Sequence, residues 1–118
     1  VGQFTKNAII AGTFLGVEDH GIMTFMLQLD YGGSNQGFGG YALDEYDKEN
    51  DTRVFTVVGG EAIKHILRVV GVRCWEHLKG KPIRVIGTKS KIDMIGNILK
   101  DEWFAFEDVL EGKVEDES

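Results

Sequence analysis

Cysteine and proline are almost missing from this chain, with Cys74 and Pro82 the single residue of each kind. One thiol cannot form an internal disulfide, so a packed core must hold the fold, and the composition suits a reducing, cytoplasmic compartment. Apolar runs long enough to cross a bilayer are missing too. The opening residues, VGQFTKNAII, lack the charged-then-apolar pattern of a signal peptide, so no membrane partner is expected. Positive charge is not in surplus: 13 Lys and Arg against 19 Asp and Glu leave a formal charge of −6. That balance argues against a broad phosphate-binding face, although it leaves room for a local basic patch. No internal repeat marks the 118 residues. One domain over residues 1–112 is expected, followed by a short acidic tail at 113–118 too poor in apolar residues to fold alone.

Glycine, by contrast, is abundant where it costs most. Five of the ten residues 31–40 are glycine, within the stretch YGGSNQGFGGYALD at 31–44. Glycine gives up the most conformational entropy on folding, so such density implies positive-φ backbone or a close approach by something else. The interleaved Tyr31, Asn35, Gln36, Phe38 and Tyr41 are unlike a flexible linker, and an ordered loop entering a strand is expected.

The remaining pattern predicts an α+β fold, a mostly antiparallel sheet with one main helix packed on it. Residues 7–17 read as a first strand and 18–21 as a turn. Residues 22–31 alternate cleanly, with Met23, Phe25, Leu27, Leu29 and Tyr31 on one face, making a long hairpin with the first strand. A third strand is expected at 38–43, a charged mobile connection at 44–53 and, at 54–58, a short fourth strand or a bridge into the following helix. After Gly59-Gly60 a helix over 61–70 presents Ile63, Ile66, Leu67 and Val70, with Gly71 at its C′ position. Residues 74–78 suggest a further helical turn, and 83–89 with 92–99 a second hairpin. Trp103, Phe104 and Phe106 are placed to close the core.

The segments EDHGIMTF, LDYGGSNQGFGGYALD, VVGVRCWEHLKGKPIRV and IGNILKDEWF resemble a group of small phage and prophage proteins, a likeness running from Glu18 to Phe104. It implies a phage-borne accessory protein in the cytoplasm of the bacterial host and carries no catalytic residues with it. The order of three strands, a helix ending in VVGV and the segment LKGKPIRV is similar to phage proteins that bind single-stranded DNA. In size and setting the chain is also comparable to small phage proteins that neutralise host immunity, including those that sequester nucleotide signals.

Residue chemistry narrows the options. The glycine spacing matches neither of the nucleotide-binding motifs G-x-x-x-x-G-K-[ST] and G-x-G-x-x-G, and no lysine lies inside the loop. Direct recognition remains: Asn35 and Gln36 donate and accept at once, and Phe38 or Tyr41 can stack on a flat ring. The competing reading is a packed β-bulge whose aromatics are core. Cys74 and His77 offer two ligands where zinc needs three or four, so no metal and no cofactor is expected. Ser34, Ser90 and the Asp44-Glu45 pair lie in no catalytic constellation, and the chain is read as non-enzymatic. These features predict a non-catalytic binding protein, and the resemblance implies a phage protein that counteracts an antiviral defence, through a nucleotide-type signal or a host protein. Single-stranded DNA is the alternative, resting on Lys79, Lys81, Arg84, Lys89, Lys91 and the acidic tail. The uninterrupted strand at 22–29 predicts a homo-oligomer.

Overall fold

The computed structural model describes residues 2–110, so the acidic tail lies outside the described residues. Six strands form one antiparallel sheet: β1 (Phe4–Val17), β2 (Met23–Asp30), β3 (Asn35–Ala42), β6 (Pro82–Gly87), β7 (Ile92–Gly96) and β8 (Trp103–Phe104). Their order is β3-β2-β1-β6-β7-β8. Between β3 and β6 the chain makes a small hairpin, β4 (Asp44–Asp47) with β5 (Thr52–Phe55), and then helix α1 (Val57–Val70). A short helix α2 (Phe106–Leu110) closes the described chain. The fold is α+β, with one main helix on a mostly antiparallel sheet.

The long strand β1 organises this topology. Its first half pairs with β6, from Phe4–Gly87 to Ile9–Pro82, and its second half pairs with β2, from Ile9–Asp30 to Val17–Met23. A register shift between Ile10 and Gly12 marks the changeover, and a bulge of this kind bends a strand. The curl brings β3 alongside β7 without a hydrogen-bonded ladder. The seam is bridged by Gln36 Nε2, which donates to the Thr88 carbonyl at 2.9 Å, and by the Phe38 and Phe104 rings, 6.0 Å apart. Three meandering strands, a helix, then a hairpin that returns beside β1 is the connectivity of a partly open OB-type barrel.

Inside the barrel β2 behaves as its alternation predicts. Phe25, Leu27 and Leu29 are buried together with Ile10, Ile83, Val85, Ile95 and Phe104. Helix α1 adds Ala62, Ile66 and Val69 to this core, while Ile63 and Leu67 are half-buried against it.

Four expectations change. The strand β2 is central, flanked by β1 and β3, so it offers no free edge for self-association. Residues 44–53 are not a loose connection but most of the β4–β5 hairpin. Asp44 pins it, accepting from Arg53 Nε at 3.0 Å, from an Arg53 terminal nitrogen at 2.8 Å and from the Met23 amide at 2.9 Å. Helix α1 begins four residues early because Thr56 caps it, its hydroxyl accepting from the Gly59 amide at 2.9 Å. Gly59 is inside the first turn, where a Cβ would sit 2.2 Å from the Leu43 carbonyl oxygen. Close approach to the sheet, not chain breaking, is the reason for that glycine. The helix end is as expected, with Gly71 left-handed at φ 91° and its amide donating to Leu67.

Candidate functional site

The glycine-rich stretch divides into two parts with different work. At its start, residues 31–34 form the tight turn between β2 and β3. Gly32 and Gly33 both have positive φ, 80° and 84°, as a two-residue hairpin turn of matching twist requires. The Tyr31 amide donates to the Ser34 carbonyl at 3.0 Å, and the Gly32 amide donates to the Asp30 carboxylate at 3.2 Å. Further on, Gly40 and Tyr41 share the place opposite Phe25, which makes a β-bulge. Gly39 there has φ 139°, and a Cβ on it would lie 2.4 Å from the Phe25 carbonyl oxygen. That second part is structural.

Phe38, paired with Leu27, and Tyr41, at the bulge, both turn into the protein, which corrects their expected role as stacking faces. Phe38 is 1% exposed and packs against the rings of Phe25, Tyr41 and Phe104. Tyr41 is half-buried, its ring stacked on Phe106 at 4.2 Å and 3°. Burial, reinforced by the carboxylates of Glu107 and Asp93, holds its phenol above the usual tyrosine range. Phe38 has no surface free for a ligand, and Phe106 takes one face of the Tyr41 ring.

Asn35 and Gln36 stand elsewhere, at the mouth of the barrel. A cavity of about 400 Å³ opens there, lined by Phe4 and Lys6 of β1, Tyr31 and Ser34 of the turn, Asn35 and Gln36 of β3, and Lys89 of the turn between β6 and β7. Gln36 fixes one wall. Its Nε2 donates to the Tyr31 hydroxyl at 2.5 Å and to the Thr88 carbonyl at 2.9 Å. Its amide nitrogen is thereby committed to the seam, and only its oxygen is left for a ligand. The Phe4 and Tyr31 rings meet at 5.6 Å and 42°. The Lys6 ammonium lies over both, 4.7 Å from the Phe4 centroid and 5.5 Å from that of Tyr31. Among the described residues only Asp44 and Arg53 form an ion pair, and Lys6 and Lys89 bring two cations to the mouth with no described carboxylate paired to either.

Phe4, Lys6 and Tyr31 are not among the site residues expected from the sequence, and Lys89 is expected only in the basic group of the single-stranded-DNA alternative. One signal existed. Phe4, Lys6, Ala8 and Ile10 share one face of β1, and a lysine among three apolar residues on an inward row is out of pattern. Lys89 had been grouped with Arg84, which the fold employs differently. The Arg84 guanidinium lies 4.6 Å over the Trp103 ring and donates to the Asn97 and Lys100 carbonyls at 2.8 and 2.7 Å. His20 lines a separate cavity at the far end of β2, beside the β4–β5 hairpin. Cys74 precedes the 3-10 turn Trp75–His77 and His77 ends it, and no three His, Cys, Asp or Glu side chains converge among the described residues.

The mouth can therefore pair an anionic group with two lysines, hydrogen-bond a polar edge through Asn35, Ser34 and the Gln36 oxygen, and set a flat ring against Tyr31. No protein-family model, curated protein or solved structure matches the chain, and the OB-type assignment rests on strand order and helix position.

Proposed function

We propose that this protein is a non-enzymatic binding protein for a nucleotide-type ligand, held at the barrel mouth. The observation that carries this reading is the meeting of Lys6 and Lys89 with Tyr31 and Asn35 around one cavity. A nucleotide needs cations for its phosphates, a ring to stack on and donors and acceptors for its base edge, and each is supplied within that cavity. In the setting that the phage resemblance implies, capture of such a molecule would remove a nucleotide signal from a host defence. Binding of a host protein would serve the same end but has no comparable support from the mouth.

Single-stranded DNA is the second reading, favoured by the OB-type connectivity. Barrels of this kind bind oligonucleotides across strands 2 and 3 and the loop between the last two barrel strands, here residues 88–91 with Lys89 and Lys91. That argument is an analogy of fold, and function resides in sites. Calorimetric titration of mononucleotides, cyclic dinucleotides and a thymidine oligonucleotide separates the readings. The leading one expects a small nucleotide to saturate the protein, with affinity falling about ten- to a hundred-fold in Lys6→Ala or Lys89→Ala. Binding of the oligonucleotide alone, weakening steeply with salt, would transfer the proposal to single strands.

A further inference from the structure

The second half of β1 has a strand neighbour on one side only. Its first half pairs with β6, but that ladder ends at Ile9–Pro82. The Ile10 amide still donates to the Lys81 carbonyl at 3.0 Å, and the Ile10 carbonyl accepts from the Gly80 amide at 2.7 Å. Past the bulge, Gly12 to Val17 pair with β2 alone. Among the described residues no strand or turn bonds to the other edge from Gly12 onward. The β1–β2 turn fixes which groups lie on that edge. The Glu18 amide donates to the Ile22 carbonyl at 2.9 Å, so the alternation of an antiparallel ladder points the backbone of Gly16, Phe14 and Gly12 toward β2. The N–H and C=O groups of Thr13, Leu15 and Val17 therefore point away from it, along the open edge.

Sheets guard an open edge with lysine, proline or an inward charge. The run AGTFLGV at 11–17 contains none of these, while Phe14 is 45% and Val17 63% exposed. The segment that fits this edge is the same strand turned around. Antiparallel pairing about a two-fold axis at Leu15 sets Leu15 against its counterpart, Thr13 against the partner's Val17 and Phe14 against the partner's Gly16. All of the outward-pointing backbone groups are then matched, each pair exchanging two hydrogen bonds, as an isologous contact requires. The side chains agree with this register. Thr13 beside the partner's Val17 is a β-branched cross-strand pair, and it covers the exposed valine. On the other face each Phe14 ring already lies across its own Gly16, 3.1 Å from where a Cβ would stand, so the two rings come side by side over the seam. Glu18 falls opposite the partner's Gly12, and no like charges are opposed. We propose that the Gly12–Val17 edge is the interface of a homodimer, in which two barrels share one continuous sheet through β1. The interface is independent of ligand binding at the mouth.

Sedimentation of the full chain between about 1 and 100 μM, a range that spans weak to moderate association, tests this. The expected result is a mass approaching twice the 13.1 kDa of one chain. Val17→Pro should raise the dissociation constant about ten-fold or more with unchanged circular dichroism, because the amide it removes faces the open edge and not β2. Phe14→Lys should also weaken the dimer, by placing two cations on one face of the seam. Amide hydrogen exchange reads the register directly. The Thr13, Leu15 and Val17 amides should exchange at least about ten-fold more slowly in the dimer than in the dilute chain, while those of Phe14 and Gly16 are protected in both. A parent that stays monomeric throughout the range would overturn the proposal. So would a dimer indifferent to both substitutions, or one in which the Thr13, Leu15 and Val17 amides still exchange freely.

Discussion

Lys6 sits in a row whose other members, Phe4, Ala8 and Ile10, pack on the core. A lysine there stabilises little, since an exposed cation over a ring contributes about 0.5–1 kcal/mol. Its replacement therefore distinguishes binding from folding. Lys6→Met should move the melting temperature by no more than about 4 °C while weakening nucleotide binding about ten-fold or more. Asn35→Ala should behave likewise, because Asn35 is exposed. Gly39→Ala should do the opposite: the new Cβ collides with the Phe25 carbonyl at positive φ, so stability falls and binding is lost only as a consequence. Leu27→Ala, at the centre of β2 and fully buried, should cost about 2–5 kcal/mol in denaturant unfolding. A loss under about 0.5 kcal/mol would mean that its side chain faces water.

At the level of elements, the hairpin β4–β5 and the start of α1 depend on polar contacts. Asp44 is 7% exposed and bonded to Arg53; that hydrogen bond, with lesser help from the Met23 amide and the Arg53 charge, holds its carboxyl below the usual aspartate range. The folded-state pKa is depressed, so the stabilisation is complete above the unfolded value of about 3.9 and fades as pH falls through the lower folded value. Asp44→Asn should melt below the parent at pH 7, and the gap should narrow on acidification below about pH 4. A gap that is constant with pH would show that the charge of Asp44 is not what holds the hairpin. Thr56→Ala should cost about 1 kcal/mol by removing the helix cap. These contacts also explain what the sequence concealed. The alternation of Phe25, Leu27 and Leu29 announced β2, since a half-buried strand writes its period directly. Residues 44–55 show no such period, because one salt bridge secures them, and Gly59-Gly60 imitates a helix breaker while serving a close approach to Leu43. The tight turn and the bulge were legible as glycine density; which rings pointed inward was not, since one inserted residue at the bulge turns Tyr41 to the same inward face as Phe38.

For the whole molecule, the curl of β1 creates two ends with different chemistry. The mouth gathers Lys6, Tyr31, Asn35 and Lys89 from separate parts of the chain, a convergence that only the seam between β3 and β7 produces. The opposite end gathers the exposed Phe55 and Val57 at the start of α1. Because Gln36 spans the seam and also walls the mouth, the site should be rigid before a ligand arrives. The most direct test is an amide chemical-shift titration of the labelled protein with a small nucleotide, repeated on the Lys6→Ala variant. Saturable shifts centred on Lys6, Tyr31, Ser34, Asn35 and Lys89, with the α1 end undisturbed and the response largely lost in the variant, are the predicted result. Shifts centred on residues 52–64, or none at the barrel mouth up to millimolar nucleotide, would contradict a nucleotide site there.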